Sequence, residues 1–332
     1  FTLDYAIPEE DYRDYVLEIG FFQRYDTPWA PQGAEVAFEQ MKLPVKKTFL
    51  APTVQKQLLE ASENDDLIIV RGEDFSYTFD KNQGGIAQIV LNGKEMLAKN
   101  TTISIFRAYI DNDKKEKPKW EELLLHKAET FRSISRIKEA NERLVTIEET
   151  VWHGSPAHPA AVKAKILYSV CSDAQVHIEI DAEISKKIET LPRFGMLFIM
   201  PENNEYIQFY GKGPHENYID MCQSAKYGLY RSTVDEQLEP YIRPQECGNH
   251  TDTNWVFISD SAGRGLLFKS ETGLNFSALH YLPQDLYETA LHKDLVRRKE
   301  TCVHIDYLHN GIGSASCGPI LEEQFRFTQK NI

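Results

Sequence analysis

Val176-His-Ile-Glu-Ile-Asp-Ala-Glu-Ile184 alternates apolar and polar residues without a break. Successive side chains of an extended backbone point to opposite faces. Val176, Ile178, Ile180, Ala182 and Ile184 therefore share one face, and His177, Glu179, Asp181 and Glu183 the other. A strand with one apolar face suits an antiparallel sheet that buries one side. Outward from this run the pattern repeats. Phe75-Ser-Tyr-Thr-Phe79 alternates in the same way, Gly84-Gly85 permits a tight reversal, Ile86 to Leu91 returns, and Asn92-Gly93 supplies the pair that a type I′ hairpin turn requires. Further strands are expected at residues 104–109, 144–152, 164–170, 195–200, 206–210, 255–259, 265–269, 302–307 and 323–327. Helical turns are expected only at 119–126 and 284–292. The chain reads as all-β and antiparallel, closing its core as two packed sheets, a β-sandwich, or as a barrel.

Composition narrows the partners. Hydrophobic residues make up 42% of the 332 and charged residues 26%, ordinary values for a soluble globular chain. No apolar run reaches the roughly 18 residues that would span a bilayer. A net charge of -13 repels a polyanion, and the densest basic cluster, Lys114-Lys115-Glu-Lys117-Pro-Lys119, is broken by acid and proline, so neither nucleic acid nor membrane is expected as a partner. Cys171, Cys222, Cys247, Cys302 and Cys317 are odd in number and lack short paired spacings, which argues against a disulfide framework or a zinc ribbon. The start at Phe1 reads as an excision from a longer parent, leaving the compartment open between cytoplasm and periplasm.

Four separated runs then carry a family resemblance: Arg107-Ala-Tyr-Ile-Asp-Asn-Asp113, Gly211-Lys-Gly-Pro-His-Glu-Asn-Tyr-Ile-Asp220, Tyr241-Ile-Arg-Pro-Gln-Glu-Cys-Gly-Asn249 and Ile305-Asp-Tyr-Leu-His-Asn-Gly-Ile-Gly-Ser-Ala-Ser-Cys-Gly-Pro319. In this order the chain resembles, from about Leu67 to Phe327, the C-terminal region (domain 5 or small chain) of the long bacterial β-galactosidases of glycoside hydrolase family 2. The resemblance implies a galactose mutarotase-like supersandwich over residues 67–330. A linker is expected at 48–66, and before it, over 1–47, a partial immunoglobulin-like β segment with strands near 14–23 and 36–42. It also implies a parent that hydrolyses terminal β-D-galactosides such as lactose. The acid/base and nucleophile glutamates of such enzymes, and their magnesium, belong to a (β/α)8 barrel with no counterpart in these residues. No cofactor is expected in this chain, which alone should be inactive. Its implied partners are a β-galactoside, the missing N-terminal catalytic region or large subunit, and further copies of the parent in a homo-oligomer.

Residue by residue, the resemblance implies a rigid turn at Arg107, Asp111, Asn112 and Asp113, followed by a loop over 114–120 at the border of the cleft. Physically, a buried arginine among acid and amide groups would fix such a turn through charge-assisted hydrogen bonds. Lys114 would lie on that loop. Ser316 and Cys317 would form cleft wall, with Cys317 where some relatives place a tryptophan, so that a thiol replaces an aromatic platform. Glu216, Asn217 and Tyr218 are expected to bind backbone groups in a tight turn. His280, His292, His304 and His309 crowd one stretch, but their spacings fit no ligand pair except His304 with Asp306 at i, i+2, and no metal site is expected from them. Two other functions remain open. One is a stand-alone aldose 1-epimerase, with His304 or His309 as acid and Glu288 or Glu323 as base; the other is a carbohydrate-binding module using an exposed aromatic row among Tyr206, Phe209, Tyr210, Tyr218, Tyr227 and Tyr230.

Overall fold

The computed structural model describes residues 14–43 and 58–328, which fall into two compact units divided between Val54 and Gln55. Most of the expected linker, residues 48–57, lies outside the described residues. Among the described residues, the smaller unit holds an antiparallel hairpin of β1 (Val16–Phe22) and β2 (Glu35–Lys42). A single hairpin buries little surface, and Phe21, Phe22, Tyr25 and Trp29 remain exposed.

The larger unit begins with a meander of β3 (Glu60–Glu63), β4 (Leu67–Arg71), β5 (Phe75–Asp80), β6 (Ile86–Leu91) and β7 (Lys94–Glu95), paired in chain order. β3 lies within the stretch read as linker. Gly84 and Gly85 turn with φ of 83° and 76°, and Asn92 and Gly93 with φ of 49° and 73°, so both reversals use the conformations their residue types favour. β8 (Lys99–Ser104) leaves this sheet for another. After it come a 3-10 turn at Asp111–Lys115, the short helix α1 (Lys117–Glu122) and a second 3-10 turn at Leu125–Lys127. A second meander follows, β9 (Glu129–Ala140), β10 (Leu144–Gly154), β11 (Val162–Cys171) and β12 (Val176–Ile184), in the sheet order β12-β11-β10-β9. The remaining strands are β13 (Arg193–Met200), β14 (Tyr206–Gly213), β15 (Lys226–Thr233), β16 (His250–Ser259), β17 (Gly265–Leu279) and β18 (Thr301–His309), with α2 (Pro283–Glu288) before the last. With β8 they form a seven-stranded sheet in the order β15-β14-β16-β17-β18-β13-β8. All pairings are antiparallel, so the all-β antiparallel reading holds.

The differences from expectation have local causes. The strand expected at 104–109 stops at Ser104, because Arg107 turns away from the sheet to reach Asp113 and two distant carbonyls. That expected at 323–327 is a 3-10 turn, Glu323–Phe325. The loop expected over 114–120 is largely helical, anchored by the buried Trp120, whose Nε1 donates to Thr190 O at 2.8 Å. β9 and β15 gave no clean signal. On β9, Ile134 shares a face with Arg132 and Arg136, so no period-two apolar stripe forms.

One contiguous core lies between the sheets. Phe194, Met196, Phe198 and Met200 of β13, Phe209 of β14 and Phe276 of β17 pack in it with Ile68, Phe79, Ile147 and Tyr168 of the two meanders. Glu149 ties the meanders from inside: it accepts from Gly85 N at 2.9 Å, Ser133 Oγ at 2.8 Å and Tyr168 Oη at 3.0 Å. Burial pushes its carboxyl up from the usual range.

The other face of the seven-stranded sheet is polar yet buried. Across it the register sets Asn275, Asp306, Gly195 and Ser104 in one row and Ser277, His304 and Leu197 in the next. Gly195 stands at a register shift in β13, where a Cβ would meet Ile305 O at 2.2 Å and Asp306 Cα at 2.4 Å. Gly195→Ala is expected to lower unfolding free energy by about 3 kcal/mol through overpacking against backbone that cannot retreat. Urea denaturation against Gly228→Ala, which has no positive φ and whose Cβ would meet only the Tyr230 side chain at 3.3–3.4 Å, separates that clash from the general effect of replacing a glycine.

Candidate functional site

Arg107 organises the polar face. Its guanidinium is fully buried and donates to Asp113 (Nη2 to Oδ1 2.6 Å, Nε to Oδ2 3.3 Å), to Asn310 O at 2.8 Å and to Gly311 O at 3.2 Å. Burial works against the charge, but Asp113 more than compensates and Arg107 is pushed above its ordinary range. Asp113 Oδ2 also accepts from Ile110 N at 3.1 Å, which closes the turn. Thus the first and last of the four runs quoted above meet.

Asn112 and Asp220 extend that junction. Asn112 Nδ2 donates to Gly313 O at 2.7 Å, and its Oδ1 accepts from Ser316 N at 3.0 Å. Asp220 accepts from the amides of Ile312 at 2.9 Å and Gly313 at 2.7 Å. The segment holding Ser316 and Cys317 is therefore clamped at its base from two sides while both residues stay exposed. Lys114 and Asp111 are exposed on the adjoining 3-10 turn. The recess between these segments, lined by Asn112, Lys115, Gly311 and Ile320 among others, measures about 30 Å³. That is roughly a tenth of the smallest ordinary ligand pocket, so it does not enclose a sugar.

Glu216, Asn217 and Tyr218 form the second junction. Glu216 accepts from Gly248 N at 2.8 Å, from Tyr218 Oη at 3.3 Å and from Tyr241 Oη. Asn217 donates to Lys212 O and His215 O at 3.0 Å each and accepts from Thr251 N at 2.9 Å. Glu246 N in turn donates to Ala108 O at 3.1 Å. All four runs are in this way brought to one face, through partners up to 204 residues apart in sequence.

Beneath them lies a charged cluster the sequence did not reveal. Arg193 Nε and Nη2 donate to Asp306 Oδ2 at 2.9 and 2.6 Å, and Nη1 lies 3.6 Å from Glu246 Oε2. His309 Nε2 is 3.4 Å from Glu246 Oε1, without hydrogen-bond geometry. Glu246 is buried, yet Arg193 and His309 hold its carboxyl below the usual range. His304 Nδ1 meets Ser104 Oγ at 2.8 Å, while its Nε2 has no hydrogen-bond partner among the described residues. The signal was hidden because arginine, histidine and aspartate alternating with apolar residues read as a surface face. The carboxylate approaching His309 is Glu246 rather than Glu288 or Glu323, both of which are exposed.

His280 is buried, whereas His292 is only half-buried. With Glu205 and Asp235, His280 forms a group whose ligand atoms lie within 4.8 Å of one another. Arg297 already supplies positive charge there, donating to Asp235 at 2.9 Å and Glu205 at 3.3 Å. The six aromatics considered for a sugar-binding row do not share a surface: Phe209 and Tyr218 are buried, whereas Tyr206 is half exposed.

Comparison with known proteins agrees with the motifs. Residues 71–332 match the family described as "Beta galactosidase small chain", and residues 1–44 match "Beta-galactosidase, domain 4". A β-galactosidase of Priestia megaterium is 31% identical over 94% of this chain and 30% of its own length. One from Staphylococcus xylosus is 30% identical over 93% and 31%, and one from Actinobacillus pleuropneumoniae 26% over 98% and 32%. The chain thus spans about a third of the length of these relatives. A solved galactose 1-epimerase from Lactobacillus acidophilus NCFM overlaps 75% of this chain and 98% of its own at 7% identity, with a TM-score of 0.29, too weak a likeness to build on.

The buried histidines set the acid response. Burial depresses His153 to about 3 and His250 to about 4, and burial with Arg193 holds His304 well below its ordinary value. A depressed folded pKa contributes stability that is present above the unfolded value and lost as pH falls towards the folded one. Glu149 and Glu216, whose carboxyls burial raises, act in the opposite sense, so the histidine share is isolated by difference. Between pH 6.5 and 5, His153→Gln is expected to lose about 2 kcal/mol less than the parent chain, measured by denaturant titration at each pH.

Proposed function

The chain belongs to the β-galactosidase small-chain family, and from that premise we propose that it is a non-catalytic flank of a β-galactosidase, supplying a rigid wall to a cleft completed by the remainder of that enzyme. The observation carrying this reading is the clamp on the segment of Ser316 and Cys317. Two side chains from separate loops, Asn112 and Asp220, hold its backbone by four hydrogen bonds, while its tip faces outward with no enclosed pocket beneath. Rigidity without enclosure suits a surface that is half of a site. Cys317 and Ser316 are the wall residues and Lys114 borders them. A thiol offers no aromatic face to a sugar, so Cys317 contributes packing rather than stacking.

Hydrolysis of a β-galactoside with a pair of carboxylates needs two carboxyl groups about 5–10 Å apart and open to substrate. The carboxylates beneath the clamp, Asp113, Glu246 and Asp306, are instead buried against arginines. In this reading they hold the wall and do not touch substrate.

The test is reconstitution. The isolated chain is expected not to cleave a chromogenic β-galactoside, and to restore cleavage when combined with the rest of the β-galactosidase; turnover by the chain alone would contradict the assignment. In the assembled enzyme, Asn112→Ala removes two hydrogen bonds at the base of the clamp, a loss of about 1–3 kcal/mol. KM is expected to rise about tenfold, with a smaller change in kcat, read from steady-state kinetics.

A further inference from the structure

The sandwich is not closed along one seam. Among the described residues β12 pairs only with β11, so its outer edge carries unpaired backbone groups. Its apolar face is only partly buried, unlike that of its neighbour β11. Across from it, Gly265–Lys269 of β17 pairs with β16 on one side, while β18 pairs with β17 only from Asn275 to Leu279. Between these two edges runs a groove of about 1070 Å³, walled by Ile178, Ile180, Phe194, Met196, Phe268 and Tyr307. It matches or exceeds the upper range of small-molecule pockets, and more of its lining is apolar than polar. An exposed edge beside an apolar trough is the geometry of strand addition.

Charge on the outer face specifies the occupant. Across the sheet the signs alternate: Arg136 of β9 meets Glu148 of β10 at 2.6 Å, Glu148 meets Lys165 of β11 at 2.7 Å, and Lys165 stands opposite Asp181 of β12. In the neighbouring row Arg132 and Lys163 flank the Trp152 ring, and Lys163 stands opposite Glu183. Both lysines are engaged towards β10, so the acidic row of β12 has its complement still to come on the open side. A second copy of β12 does not supply it, because antiparallel self-pairing about the middle of the strand sets Glu179 and Asp181 against carboxylates.

We propose that the edge of β12 docks an extended segment alternating apolar with basic residues, its apolar side chains filling the groove and its basic ones facing Asp181 and Glu183. This rests on the reading of the chain as a flank: the remaining two thirds of the relatives' length is the source of the segment.

Two labelled nine-residue peptides, one alternating valine with lysine and one valine with glutamate, test it by fluorescence anisotropy against the full chain. The lysine peptide is expected to bind saturably and about tenfold more tightly than the glutamate peptide. Asp181→Lys with Glu183→Lys is expected to reverse that order, and Ile180→Asp to weaken the preferred peptide about tenfold, with thermal melts confirming folded variants. Equal binding of both peptides, an order unchanged by the charge reversal, or no binding at all would overturn the proposal. So would self-association of the chain that Ile180→Asp abolishes, since it would give the seam to a second copy. Peptide binding involves no catalysis, so failure here leaves the reconstitution result standing, and the reverse also holds.

Discussion

A guanidinium without solvent must find partners for its charge and its donors, and Arg107 directs four hydrogen bonds to residues far apart in sequence. Asp113 lies six residues on and closes a local turn, whereas the carbonyls of Asn310 and Gly311 lie 203 and 204 residues away. Leaving such a charge unpaired costs several kcal/mol, so the closing loops are obligatory rather than optional. Arg193 repeats the arrangement one layer deeper with Asp306 and Glu246. The polar face of the seven-stranded sheet is consequently roofed by loops in one defined arrangement.

That roof separates two properties often found together. Buried polar networks in which most groups are paired favour a unique conformation, and they also occupy the space a ligand would need. Here the sheet face that bears arginines, histidines and carboxylates is filled by the chain's own loops, while the outward tip around Ser316 and Cys317 stays free. The Glu205, Asp235 and His280 group follows the same logic, with Arg297 as an internal cation. In the proposed reading, the buried charge on this face serves positioning.

The other face obeys a different constraint. Its residues are apolar and fill the sandwich well where β13, β17 and the meanders meet, but the layers end unequally along β12. β12 keeps alternating neatly to its end, so the misfit lies in the assembly of the sheets rather than in the strand. The acidic row on its outside guards the edge against pairing with its own kind.

Strand content was legible because period-two alternation and turn pairs such as Asn92-Gly93 act locally, through backbone sterics that need no distant residue. The same holds for the polar triplet at Glu216 to Tyr218, whose neighbours force a turn. β9 was not legible, since Arg132, Ile134 and Arg136 share one face, and the strand expected after Ser104 was lost because Arg107 answers to a partner near the other end of the chain. By itself, then, the sequence determined an all-β antiparallel chain and the turns that fold it. Only the tertiary structure decided that Asn112 and Asp220 would grip one segment, that Glu246 rather than Glu288 or Glu323 would approach His309, and that among the described residues the outer edge of β12 would stay unpaired. Local patterns carry conformational preference, whereas the pairing of buried charge and the closure of sheets depend on which distant segments the fold brings within a few ångströms.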